Sequence, residues 1–382
     1  MTQRRYLFTV VGLFLLIPTS ASTQTPVKSR WKYAPELLRP FWQGDTVYGE
    51  SVLFIKDPAT GVARGSLLFP ITQVLSVRNS AGNITYEEGR DYQWKPGSRE
   101  IRLPAGSRIV SRTPAELRRP ANSQKYRLAH RDGNGEILFD AKLEYHAMQT
   151  IITYRHAPVR WKSAVPHFDL QALPHTMGKL RDGKNLSIVV LGDSISTGCN
   201  ASGWAGAAPF QPAYPELLRR DLQARYRVQV QVLNLSVGGT RSQWGVTMID
   251  QVLAARPDLV ILAFGMNDAA GVPAEDYQAH IKTMLDKVHG HRPACEFILI
   301  ATMLGNPDWT LLHQDLFVEY RDALAALCTP GVALADLTTV WSELLKRKKY
   351  WDITGNGVNH PNDFGHRIYA QVLTTLLHEP AN

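Results

Sequence analysis

The chain has 382 residues, 44% of them hydrophobic and 20% charged, with 42 Lys and Arg against 34 Asp and Glu, a net charge of +8. That composition excludes the disordered and collagenous classes, and the length suggests about two domains. The positive excess is modest, and its densest cluster, Lys346-Arg347-Lys348-Lys349, suits a helix end, where cations meet the dipole, so no nucleic-acid partner is expected.

Residues 1–5 are short and basic, 6–18 are apolar, and Thr19-Ser20-Ala21-Ser22 is small and polar. This is the layout of a secretory signal peptide, read over 1–22. The apolar run falls short of the roughly 20 residues of a membrane-spanning helix, which disfavours the rival reading, an uncleaved anchor. No Cys follows it to take a lipid. A secreted or periplasmic protein is expected, with no stable membrane insertion after cleavage.

From 27 to 165 the pattern is short strands broken by turns, with candidates at 52–55, 65–69, 74–77, 100–103, 136–141 and 150–154. Turn chemistry recurs at Asn79-Ser80-Ala81-Gly82-Asn83, Gly97, Gly106 and Asp132-Gly133-Asn134-Gly135. No sustained helical period interrupts it, so this region reads as an all-β sandwich or jelly roll. Residues 166–184 form a connector rich in Pro, His and charge.

From 185 to 382 strand and helix alternate. Apolar runs at 186–191, 228–233, 259–264, 297–303 and 332–337 are followed by helical patterns at 214–226, 244–255, 275–289, 311–327 and 340–346, and a last helix spans 363–377. Continuous apolar strands are those with both faces covered. Five such units make an α/β domain with a doubly wound parallel five-stranded sheet, flavodoxin-like in layout. Cys295 and Cys328 fall at one edge of that sheet, and export permits a bridge between them; two buried free thiols are the alternative.

In such sheets the ligand lies beyond the carboxyl ends of the strands. Gly192-Asp193-Ser194 ends the first strand, Asn234 to Gly239 follows the second, Gly265-Met266-Asn267-Asp268 follows the third, and Asn359-His360-Pro361 precedes the last helix. A serine hydroxyl needs a base to become a nucleophile, and a neutral imidazole supplies one. An oxyanion needs preorganised donors. The Ser194 N–H, the Gly239 N–H and the Asn267 side-chain amide are suitable, and glycine at 239 leaves the backbone room to approach a ligand.

These blocks, in this order, resemble the SGNH (GDSL-type) hydrolases over roughly residue 186 to the C-terminus. The resemblance implies Ser194 as nucleophile, Gly239 and Asn267 in the second and third blocks, and His360 as base. It also shows a departure. Most members carry Asp three residues before the histidine, and here that position is Gly357. Asp352, the nearest upstream carboxylate, is the expected third catalytic residue, because a carboxylate best stabilises an imidazolium. A backbone carbonyl, making a Ser–His dyad, or Asn356 are the alternatives. His366 lies too far into the last helix to be the better base. His289-Gly290-His291 reads as a helix end rather than a metal site, and no phosphate loop, dinucleotide fingerprint or zinc-ligand set implies a cofactor or metal. Asn-x-Ser/Thr sequons begin at Asn83, Asn185, Asn200 and Asn234 and read as chance matches.

Trp204, Trp244, Trp309 and Trp351 fall in predicted loops near the catalytic edge, where flat aromatic faces suit sugar rings. A β-sandwich ahead of this domain is similar to the layout of two-domain carbohydrate esterases. The expectation is a hydrolase of carboxylic esters acting on an acylated glycan or small ester, with acetyl the expected group. A broader lipolytic or aryl esterase is the runner-up. A non-catalytic glycan-binding protein, motivated by the missing Asp, is the reading from another class.

Overall fold

The structure, a computed structural model, describes residues 31–140, 143–158, 161 and 165–379. The signal-peptide expectation for 1–22 lies outside them. Among the described residues, no helix is long and apolar enough to cross a membrane.

The N-terminal region is strand-rich, as its turn-broken pattern implies. Thr46–Val52, Thr150–His156 and Ile71–Asn79 form an antiparallel three-stranded sheet with Thr150–His156 in the centre. A five-stranded sheet runs Gln93–Trp94, Glu100–Leu103, Ala63–Ser66, Phe54–Lys56, Ser111–Arg112, its last pairing parallel. Arg118–Arg119 pairs with Glu136–Ile137. The helix Glu144–Met148 was not foreseen, because five residues are too short to show a period; it buries Tyr145 and Met148.

The second half holds a parallel sheet of Leu186–Gly192, Val230–Asn234, Leu259–Ala263, Glu296–Ala301 and Val332–Asp336. In chain order these strands lie second, first, third, fourth, fifth across the sheet. The order reverses between the first and third strands, and the crevice above that point is where ligands bind in such sheets. The interior strands Leu259–Ala263 and Glu296–Ala301 are buried along their whole length, and Leu186–Gly192 is buried save for Ser187, which accounts for their apolar runs. Helices Tyr214–Tyr226, Ala274–His291, Gln314–Ala325, Leu337–Leu345 and Asp363–Leu377 cover the sheet. The pattern at 244–255 is two short helices, Ser242–Thr247 and Ile249–Ala254. The connector contains a helix, Pro174–Arg181, whose first-turn N–H groups at His175 and Thr176 donate to the buried Glu296 carboxylate at 2.7 Å each. That carboxylate does for the helix start what a capping side chain would.

Cys295 and Cys328 are free thiols, which corrects the bridge expectation. Each thiol turns to a nearby backbone carbonyl, Glu296 for Cys295 and Leu324 for Cys328.

The two regions do not merely touch. One apolar cluster runs from Trp31 and Val47 through the parallel sheet to Leu377. A buried polar cluster crosses the same boundary. Lys348 Nζ donates to Glu50 Oε1 at 2.6 Å and to the Ser66 carbonyl at 2.8 Å, and Tyr154 donates to Glu50 Oε2 at 2.8 Å. Removing one partner leaves the other charge buried and unpaired. Lys348→Met is therefore expected to cost about 3–5 kcal/mol, read as a lower urea midpoint.

Candidate active site

Gly192 ends the first strand against its neighbour so closely that a Cβ there would lie 2.5 Å from the Ala263 carbonyl oxygen. The chain then turns into the short helix Ser194–Thr197, whose N-cap Asp193 accepts the Ile195 N–H at 2.9 Å. Ser194, the first helical residue, has an N–H with no intrahelical acceptor, at the carboxyl end of the first strand. Burial pushes the Asp193 carboxyl up to about 7.

The second block is tied to the first by hydrogen bonds, and the third to the residues that follow the second. Val237 N–H donates to the Gly192 carbonyl at 3.1 Å, and Asn234 Nδ2 donates to the Ser196 carbonyl at 2.6 Å. Asp268 is fully buried; its Oδ1 accepts from Ser242 N and Oγ and its Oδ2 from Gly265 N. Asn267 Nδ2 donates to the Thr240 carbonyl at 2.9 Å, which orients the amide beside the turn that holds Gly239. Gly239 has φ +80°, and a Cβ there would meet nothing within 4 Å. Its glycine is needed for the left-handed backbone, with open space in front of it.

His360 reaches this edge from the loop before the last helix. Its Nε2 lies 2.8 Å from Ser194 Oγ, and its Nδ1 lies 2.7 Å from Asn200 Oδ1. The proton positions follow from the partners. Asn200 Nδ2 faces two carbonyl oxygens, Gly355 at 3.0 Å and Asp140 at 3.5 Å, which only accept. Asn200 Oδ1 therefore faces His360, Nδ1 carries the hydrogen, and the unprotonated Nε2 is left to accept from the Ser194 hydroxyl. Burial, with His366 nearby, lowers the His360 pKa to about 3, so the ring is neutral at ordinary pH. His366 turns its Nε2 to the Cys199 carbonyl at 3.4 Å and does not reach Ser194.

Asp352 is not brought to His360, which corrects the expected third residue. Its Oδ1 accepts Leu53 N–H at 2.8 Å and its Oδ2 accepts Lys349 N–H at 3.0 Å, 3.8 Å from Lys348 Nζ. The carboxylate is consumed where the loop meets the N-terminal region. Asn356 shapes the loop rather than the ring, its Oδ1 accepting the N–H groups of Val358, Asn359 and His360 at 3.0, 3.0 and 3.1 Å. Gly357 has no room for a side chain: a Cβ would lie 2.2 Å from the Leu138 carbonyl and 2.7 Å from the Tyr145 hydroxyl. The position three before the histidine is thus closed to an acid by the N-terminal region.

Asn200 was missed. It sits at φ +65°, a conformation Asn tolerates better than most residues, and it follows the left-handed Gly198. The signal was its place six residues after the serine in a Gly-Cys-Asn turn. Gly355 lets it in, since a Cβ there would lie 2.4 Å from Asn200 Cβ.

The four tryptophans part company. Trp204 is 49% exposed. It lines a cleft of about 680 Å³ with Thr197, Phe210, Pro212, Val232 and Asn234. Trp244 is half-buried, its edge against Phe264 at 6.4 Å. Trp309 is buried and donates Nε1 to the Arg127 carbonyl at 3.0 Å, and Trp351 packs on the cluster of Leu53, Leu117, Leu138, Tyr145 and Met148. Those two join the halves of the molecule; Trp309 presents no free face to a ligand, and Trp351 is half-buried.

The model of the GDSL-like Lipase/Acylhydrolase family matches residues 190–368, the stretch that holds Ser194, Gly239, Asn267 and His360. No curated protein matches the chain. Among solved structures, a two-domain esterase (CEX) active on acetylated mannans aligns at 23% identity over 56% of this chain and 54% of that one, with a TM-score of 0.45. A catalytic mutant of Axe2, an acetylxylan esterase from Geobacillus stearothermophilus, aligns at 19% identity over 49% and 92%, TM-score 0.40. The lipase Lip_vut3 from goat rumen metagenome aligns at 16% over 50% and 96%, TM-score 0.41. The chain spans about half the length of the two-domain esterase.

Proposed function

We propose that the chain, whose residues 190–368 match the model of the GDSL-like lipase/acylhydrolase family, is an extracytoplasmic serine esterase that removes acetyl groups from a carbohydrate. The observation that carries the chemistry is the unbroken chain Ser194 Oγ, His360 Nε2, His360 Nδ1, Asn200 Oδ1 at 2.8 and 2.7 Å. Ser194 Oγ attacks the ester carbonyl carbon while its proton passes to His360 Nε2. The oxyanion is held by the Ser194 and Gly239 N–H groups and by Asn267 Nδ2. His360 returns the proton to the leaving sugar hydroxyl as the C–O bond breaks. Water then attacks the acetyl-serine, gives a proton to His360, and leaves as acetate while Ser194 is reprotonated. Asn267→Ala is expected to lower kcat about 10²–10³-fold, read on p-nitrophenyl acetate.

The carbohydrate part rests on Trp204, the one of the four tryptophans with about half its surface open, beside the helix that starts at the nucleophile. Export rests on the first 22 residues of the sequence. The binding-only reading draws its force from the missing acid, and Asn200 gives Nδ1 a partner without one. A broader esterase keeps one observation in its favour: Leu233, just before the second block, and Val237, within it, are each 46% exposed and would suit an acyl chain.

Acetate release from acetylated xylan, mannan, pectin and peptidoglycan, wild type beside Ser194→Ala, tests the proposal. Release from one glycan, lost in the variant, is the expected result. Ser194-dependent cleavage of p-nitrophenyl butyrate and longer esters with no glycan activity would move the assignment to the broader esterase. Trp204→Ala is expected to raise KM for the polymer about threefold to tenfold, the worth of one aromatic contact, and to leave p-nitrophenyl acetate hydrolysis unchanged.

A further inference from the structure

The loop that carries His360 is also held by the N-terminal region. Ser51 Oγ donates to the Asp352 carbonyl at 2.5 Å, and Asp140 N–H donates to the Asn356 carbonyl at 3.2 Å. Gln149 does the most. It is 3% exposed, between the helix Glu144–Met148 and the central strand Thr150–His156. Its Nε2 donates to the Thr354 carbonyl at 2.7 Å and to the Trp351 carbonyl at 3.1 Å, before the histidine. Its Oε1 accepts from Asn362 Nδ2 at 2.9 Å, after the histidine. Asn362 in turn caps the last helix, accepting the Gly365 N–H at 3.0 Å. One buried amide from the strand-rich region therefore clasps both ends of the segment on which the imidazole stands.

A buried amide is costlier than an aliphatic side chain unless every polar atom is paired. Among the described residues, all the hydrogen bonds of its side chain go to this segment and none to the strands around it. Between those clasped ends, Thr354 Oγ1 donates to the His360 carbonyl at 3.0 Å and Gly355 N–H donates to the same oxygen at 2.9 Å. A shift of Thr354 is thus passed directly to the residue that must meet Ser194.

We propose that Gln149 is a positioning residue for His360, so that the strand-rich N-terminal region is a working half of the active site rather than an appended module. This rests on the Ser194–His360 reading. Catalytic groups tolerate little displacement, and a misplacement of about 1 Å from a remote change can cost about 10²-fold. Full-length Gln149→Leu, which leaves the Thr354 carbonyl and the Asn362 amide without this partner, is expected to lower kcat on p-nitrophenyl acetate about 10- to 100-fold. KM should change less than about twofold, since the residue touches no substrate. Labelling of Ser194 by a fluorophosphonate should slow by the same factor as kcat. Ser51→Ala, which removes one hydroxyl bonded to the Asp352 carbonyl and to Asn362 Nδ2, should give a smaller fall in kcat of the same kind and stands in should the first variant not fold. A lower melting temperature with kcat and labelling rate unchanged per folded molecule, in whichever variant folds, overturns the proposal. A wild-type protein that the probe does not label overturns the Ser194–His360 reading and this inference with it; a labelled wild type with unaltered variants overturns this inference alone.

Discussion

Ser194→Ala and His360→Ala should each lower kcat about 10⁵- to 10⁶-fold, and the double variant should lose little more than either. In the proposed mechanism the two side chains act as one unit. The hydroxyl is a nucleophile only while Nε2 accepts its proton across the 2.8 Å contact, so removing either end removes the whole step. What should survive is the proposed oxyanion donors, which do not depend on the pair; such donors retain about 10³–10⁴ over water in serine hydrolases. Single-turnover kinetics on p-nitrophenyl acetate read all three variants. Losses that multiply, the double variant falling by the product of the singles, would mean that serine and histidine act independently and would sink the mechanism.

Asn200→Leu should lower kcat/KM about 10²- to 10⁴-fold, whereas Asp352→Asn should lower the melting temperature and leave kcat within a few fold. Without the Asn200 oxygen, nothing holds the Nδ1–H tautomer, and the wrong tautomer presents a hydrogen to Ser194 instead of a lone pair. Asp352 acts elsewhere, on the Leu53 and Lys349 N–H groups. A neutral partner also has a consequence for pH. With the His360 pKa at about 3, kcat/KM should stay level down to roughly pH 5 and fall only below it, as the free-enzyme base is protonated. Asn200→Asp places a carboxylate beside Nδ1, which favours the imidazolium and should move that acid limb upward. The folding linkage has the same sign. His360 and His366 have folded pKa values of about 3 and about 4, below the unfolded value of about 6.5, so between those limits the unfolded chain binds more protons. Their contribution is fully present above pH 6.5 and is lost as pH falls through that window, which urea melts at pH 7 and pH 4.5 would measure. An acid limb near pH 6.5 in the wild type would mean that the ring is solvated or paired with an acid.

The serine, histidine, glycine and asparagine of the site were legible because each lies at the carboxyl end of a strand or just before the last helix. Periodicity alone locates those ends. The parallel sheet was legible for the same reason, since continuous apolar runs mark strands covered on both faces. The short elements were not: Glu144–Met148, Pro174–Arg181 and Tyr350–Ile353 are too brief to show a period, and their stability comes from what they pack against. Trp309 and Trp351 read as loop residues and are interface residues, because burial of a side chain in a loop depends on a surface far away in sequence.

The sequence by itself determined which groups are gathered: a serine, an imidazole and three candidate donors, in an order that places all of them at one edge of the parallel sheet. The third partner of the histidine was decided by tertiary structure alone. Local spacing pointed to Asp352, eight residues before His360. But the Leu138 carbonyl fills the space at Gly357, the N–H groups of Leu53 and Lys349 hold Asp352, and a left-handed turn 160 residues upstream delivers Asn200. Which polar group reaches a ring nitrogen depends on which donors and acceptors the packed halves leave unpaired, and that is a property of the assembled interior, not of any segment read along the chain.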